Sequence, residues 1–257
     1  MLHKNPLWRS SNNTLLWNGT YPYYKEPVQN LLINCWLPAA SISVAWVNPD
    51  YITRLFYYPD GTPMHGSYNP SSDTAILTLW NPHTEKQQNF TVNVYNKSLT
   101  EDGGMEGTWW HSAVTQGFLQ MGAYADILGI APNGTLVGRS GFPSVAMSML
   151  TGRKIVSAPK DWYKDIDAWW ADMQHSTTTP IVVSTVDEKN IVPADPKIQC
   201  NHAYAVMLCK EEPPGNRSMI LRNPWGQQYW HKAQDVWNNI WFTNHIEGFE
   251  KLEWRDG

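Results

Sequence analysis

Cys35, His202 and Asn223 supply, in chain order, a thiol, an imidazole and a carboxamide, 167 and 21 residues apart. A thiol attacks a carbonyl only once a neighbouring acid/base has taken its proton. An imidazole serves that purpose when a further group fixes which of its nitrogens carries the proton. Gln29 stands six residues before Cys35 and brings a side-chain amide able to donate to an oxyanion. Each residue alone has a plainer reading. A lone Cys is most often a small core residue, a His beginning an apolar strand is often a core His, and an Asn before Pro usually makes a turn. The combination is more specific than any member.

These groups need elements to hold them. Residues 29–47 are apolar and interrupted by Pro38. Pro is tolerated in a first helical turn, where its missing N–H has no partner to lose. The helix is therefore predicted to begin near Asn34 or Cys35. A thiol at a helix N-terminus is expected to have a lowered pKa. Cys200-Asn201-His202-Ala203-Tyr204-Ala205-Val206 predicts a strand carrying His202 near its start. Leu221-Arg222-Asn223-Pro224-Trp225-Gly226 predicts a strand end followed by a turn.

Elsewhere, strands are predicted at residues 54–58, 75–80, 89–94, 181–185, 203–208 and 219–222. Helices are predicted at 108–128, at 143–151 between Pro143 and Gly152, and at 165–174. Residues up to 27 are expected to be irregular. A linker is expected at 153–160. The predicted fold class is α+β, with a helical Cys-bearing lobe at 1–155 and a β-rich lobe bearing His and Asn at 156–257. There is no internal repeat or low-complexity tract.

Charged residues are only 16% of the 257, and Lys plus Arg is 19 against 23 Asp plus Glu. That balance argues against nucleic acid as a partner, which calls for a dense basic surface. No run approaches the ~18 apolar residues of a membrane span. The other histidines lack zinc spacing, and no phosphate or dinucleotide loop appears, so no metal or cofactor is expected from these patterns. Three cysteines are too few for a disulfide scaffold. Cys200 and Cys209 lie too far apart along an extended strand to be bridged. The 15 Trp predict an aromatic core, or in part an aromatic groove for peptide or glycan. Six Asn-x-Ser/Thr sequons, at Asn12, Asn18, Asn89, Asn96, Asn133 and Asn216, exceed the roughly two to three expected by chance. The excess favours secretion, with a cytoplasmic protein rich in Asn and Thr as the alternative.

The blocks Gln29-x5-Cys35-Trp36-Leu37-x-Ala39-Ala40, His202-Ala203-Tyr204-x-Val206 and Leu221-Arg222-Asn223-Pro224-Trp225-Gly226 resemble the protease core of calpains, within the papain-like cysteine peptidases. The similarity extends over residues 23–231. It implies a papain-like two-lobed fold with the active site in the cleft between lobes. It implies Cys35 as nucleophile, His202 as base and Asn223 as the residue orienting it. Gln29 and the Cys35 backbone N–H would form the oxyanion hole, with Trp225 covering the His202–Asn223 bond and Trp36 in support. The implied activity is a cysteine endopeptidase acting on protein or peptide substrates through a thioester, in a monomer. A relative that transfers the acyl group to an amine, or that silently binds peptide or glycan in the cleft, is the alternative.

Three positions depart from the family. Ile33-Asn34 stand where Gly-Asp is usual, and Asn201 stands where Gly precedes the His. The family also implies calcium. Here Glu26 and Asp126 alone stand near the corresponding places, thin for an ion that takes six to eight oxygens, so calcium dependence is doubtful.

Overall fold

The computed structural model describes residues 15–29, 34–64, 74–93, 108–121, 141–192 and 195–253. Helix α1, Trp36–Val47, has no polar face, and ten of its residues are buried. A helix apolar all round must be covered on every side. Its Pro38 lies in the first turn, as the sequence requires. It stops at Asn48, because Pro49 disfavours helical geometry in the residue before it. Asn48 then caps α2, Pro49–Thr53, by accepting the Tyr51 N–H.

A three-stranded antiparallel sheet follows, from β1 (Phe56–Tyr57), β2 (Thr74–Asn81) and β3 (Lys86–Asn93). Helix α3 is Trp110–Met121. The predicted continuation of that helix beyond residue 121 lies outside the described residues. Helix α4, Pro143–Thr151, ends where Gly152 takes φ +64 and returns its N–H to Ser148. Helix α5, Ile166–Met173, is capped by Asp165 through the Ala168 N–H.

The remaining strands are β4 (Ile155–Pro159), β5 (Ile181–Thr185), β6 (Ala203–Glu211), β7 (Arg217–Arg222), β8 (Gln228–Lys232) and β9 (Ile240–Ile246). They form one antiparallel sheet in the order β4-β9-β5-β6-β7-β8. Helix α6, Ala233–Asn239, precedes β9. The chain is thus α+β with antiparallel sheets.

Side chains of a strand alternate between its faces, and here both faces are covered. Ile181, Val183, Tyr204 and Val206 join a core with Trp169 and Trp170 of α5 and Val236 of α6. Val182 and Ala203 join the core built on α1, α3, α4 and the smaller sheet. Ala205 and Met207 pack with Ile42 of α1. The small Ala203 and Ala205 let α1 lie close on β6. Ser43 of α1 donates to the Ile181 carbonyl of β5 at 3.2 Å.

Three expectations are corrected. The linker expected at 153–160 contains strand β4, which pairs with β9 from Ile155–Ile246 to Pro159–Phe242. The strand expected at 54–58 shrinks to Phe56–Tyr57, because Pro49 and its Asn48 cap start a helix just before it. Strands β8 and β9 and helix α6 go unpredicted. Residues 15–29 are irregular, as expected, and all three cysteines are free thiols. Among the described residues no helix is long and apolar enough to cross a membrane.

Candidate active site

Cys35 precedes the first residue of α1 and is half-buried. Because α1 lies across β6, the backbone N–H of Ala203 comes near enough to the sulfur to favour its anion, as do those of Trp36 and Cys35 itself. One peptide unit therefore separates the thiol's contact from His202. Trp36 is buried against Phe118 of α3, with ring centroids 6.2 Å apart. A Cβ at Gly141 would overlap the Trp36 indole at 2.3 Å, so the chain passes the indole only because residue 141 is Gly.

His202 immediately precedes strand β6 and is 6% exposed. The residue before it, Asn201, has φ +49. Asn is among the few residues with a side chain that enter this left-handed region readily. Asn201 therefore keeps a backbone that most residues would strain.

The Nε2 of His202 lies 2.9 Å from Asn223 Oδ1. The same oxygen accepts the Trp225 backbone N–H at 2.9 Å. That second bond settles the amide orientation, since only the carbonyl oxygen accepts from an N–H. Nε2 is then the donor, and the neutral imidazole has its lone pair on Nδ1. Asn223 is held by a turn in which its carbonyl accepts the Gly226 N–H and its N–H meets the Gln227 carbonyl. Pro224 suits the second turn position, and Gly226 supplies φ +96. The Trp225 ring lies 4.5 Å from the imidazole and is 45% exposed, so it covers the His202–Asn223 bond with its other face in solvent.

Gln29 is brought to the same turn, its backbone N–H donating to Pro224 O at 2.8 Å. Two buried charged residues hold its segment. Arg222 Nη2 donates to Lys25 O and Nη1 to Gly226 O, each at 3.0 Å. Glu26 accepts the N–H groups of Asn18 and Tyr23 and the Trp110 indole N–H, the last at 2.6 Å. Neither residue was expected to act this way from sequence. Their partners are up to 197 positions away, and no local pattern marks them.

The structure thus brings Gln29, Cys35, His202, Asn223 and Trp225 together. Residue 33 and Asp126 lie outside the described residues. Asn34 is buried, and its carbonyl accepts the Leu37 N–H in the first turn of α1.

The electrostatics correct one expectation. Burial pushes the Cys35 thiol up, above its ordinary value, although the three backbone N–H groups oppose this. Helix-end donors are present, but loss of water outweighs them. Burial also holds the His202 imidazole below its ordinary value, against the bond to Asn223. Both groups are therefore biased towards their neutral forms, with Nδ1 free to accept a proton.

Both Glu26 oxygens accept N–H groups, and the described residues contain no cluster of three or more His, Cys, Asp or Glu suited to a metal.

Comparison of the chain with protein-family models and with curated proteins yields no match.

Proposed function

We propose that this chain is a papain-like, calpain-related cysteine endopeptidase, with two lobes meeting at the Cys35–His202 site. The observation that carries the reading is the doubly bonded Asn223 oxygen, which assigns the Nε2 proton of His202, next in the chain to the Ala203 N–H that lies near the Cys35 sulfur.

In the proposed reaction, Cys35 Sγ attacks the peptide carbonyl as its proton passes to His202 Nδ1. The Gln29 amide and the Cys35 N–H stabilise the oxyanion, donors worth about 2.7–4 kcal/mol each in comparable sites. Collapse breaks the C–N bond, and the imidazolium returns its proton to the departing amine. Water, deprotonated by His202, then cleaves the thioester and restores the thiol. Asn223 keeps the ring's orientation throughout, and Trp225 excludes water from the bond that does so.

The test is labelling by an epoxide inhibitor of cysteine proteases, read by intact mass and peptide mapping. One adduct is expected, on Cys35, lost in Cys35→Ala and in His202→Ala. An inert but folded wild type, or labelling indifferent to His202→Ala, would overturn the reading and favour a silent peptide-binding relative.

A further inference from the structure

We propose that Thr185 is a positioning residue for His202, its hydroxyl closing the turn that aims the imidazole. The proposal rests on the reading of His202 as the base. Asn223 fixes one nitrogen of the ring, but the ring's place also depends on the backbone that carries it. The β5–β6 pairing runs only as far as Ser184 opposite Ala203. Beyond it, Thr185 takes over. Its backbone N–H donates to His202 O at 2.9 Å, and its Oγ1 accepts the His202 N–H at 3.0 Å. The same hydroxyl donates to Gln199 O at 2.7 Å. One buried side chain, 3% exposed, therefore holds both ends of the Gln199-Cys200-Asn201-His202 turn, in which Asn201 has its left-handed backbone. A register shift between Ser184 and Thr185 against β9 accompanies this, and such bulges re-aim a side chain.

Tyr204 reinforces the clamp. Its hydroxyl accepts the Gln199 N–H at 2.8 Å and donates to Lys197 O at 3.3 Å. Gln199 is thus held at its N–H by Tyr204 and at its carbonyl by Thr185. The Tyr204 ring stands edge-on to the His202 imidazole, 5.0 Å between centroids. The loop's far end is tied by Asp195 to His231 of β8, at 2.7 Å.

Removing the Thr185 hydroxyl strands the buried His202 N–H and takes a partner from the half-buried Gln199 carbonyl, and the turn must shift to satisfy them. A displacement of about 1 Å in a catalytic group can lower a rate ~10²-fold. Thr185→Val keeps the shape and loses the hydroxyl; Thr185→Ser keeps the hydroxyl. The expected result is a ~10–100-fold fall in kcat and in epoxide inactivation rate for Thr185→Val, with KM changed less than about threefold, and near-complete rescue in Thr185→Ser.

A second readout is independent of activity. The His202 Nε2–H proton, identified by its loss in His202→Gln, is expected to resist solvent exchange in wild type and Thr185→Ser and to exchange rapidly in Thr185→Val. Wild-type kinetics together with a protected proton in Thr185→Val would overturn the proposal. If Thr185→Val does not fold, Tyr204→Phe carries the test, with the same direction and the same refuting result. An inert wild type would sink the protease reading, while the exchange measurement would still decide the role of Thr185.

Discussion

Asn223→Ala removes one oxygen that accepts two N–H groups, and their consequences separate. The His202 Nε2–H is buried, so losing its acceptor costs about 1–3 kcal/mol. The Trp225 N–H belongs to a residue 45% exposed, and water replaces its acceptor at lower cost. For a chain of this size each kcal/mol lowers Tm by roughly 2–4 °C, so a fall of about 2–12 °C is expected. The rate effect comes from the unfixed ring: orienting partners of histidine ligands are worth 10–100-fold, and a similar loss of Cys35 inactivation rate is expected. The pKa effect has a definite sign. The Asn223 bond is what opposes the burial that depresses His202, so Asn223→Ala should lower the imidazole further. Asn223→Asp places a carboxylate against Nε2, and the adjacent negative charge should raise it. Both are read by NMR titration of His202 in a Cys35→Ala background, which removes the thiol's own titration. Unchanged titration in Asn223→Ala, with wild-type Tm and inactivation rate, would refute the argument that this oxygen sets the imidazole's state.

Cys35→Ala should abolish inhibitor labelling and turnover while changing unfolding free energy by about 1 kcal/mol or less, since the side chain is small and half-buried; urea titration and intact mass check both. Inactivation rates should be the same in EDTA and in millimolar calcium, because the Gln29 N–H to Pro224 and Arg222 to Lys25 bonds already join the two sides of the site; strict calcium dependence would contradict this. Asn201→Gly should label within about twofold of wild type, whereas Asn201→Val should lose about 1–3 kcal/mol from a strained φ of +49. Stability should also depend on pH on the acid side. Burial depresses both His202 and His245 below their ordinary values, so the unfolded chain binds more protons once pH falls below about 6.5. Their contribution is full above that pH, is lost as pH falls towards the folded-state values, and is flat below them. Urea unfolding at pH 7.5 and 5.5 should show a smaller loss in His202→Gln/His245→Gln than in wild type.

What the sequence disclosed follows the range of the forces involved. Pro38 announces the start of α1, and Pro143 with Gly152 brackets α4, because backbone sterics act within a turn. The apolar run of β5 matches Ile181–Thr185 for a similar reason: both faces of the strand are buried, so its pattern needs no knowledge of partners. Strand β9 lacks that clarity. Thr243, Asn244 and His245 are all buried, although none of them is apolar. They are tolerated because Thr243 accepts the Trp169 indole N–H, Asn244 pairs with Ser157 and Val182, and His245 stacks on Phe249. All but the last of these partners come from distant segments.

The same distinction runs through the site. The chemical groups were legible by type and order, but the residues that set their geometry were not. Thr185 and Arg222 read as ordinary strand residues and Glu26 as a candidate ion ligand; contacts 14 to 197 residues away give each a different task. The thiol shows why this matters for mechanism. Its position at the start of α1 argues locally for an anion, yet the packing of α1 on β6 that delivers the Ala203 N–H also removes the water that would stabilise one. Proximity to His202 and desolvation of Cys35 are thus consequences of one contact. A variant that loosens α1 from β6, such as Ala205→Gly, should therefore lower the thiol's pKa and slow inactivation together, whereas separate causes would let one change without the other.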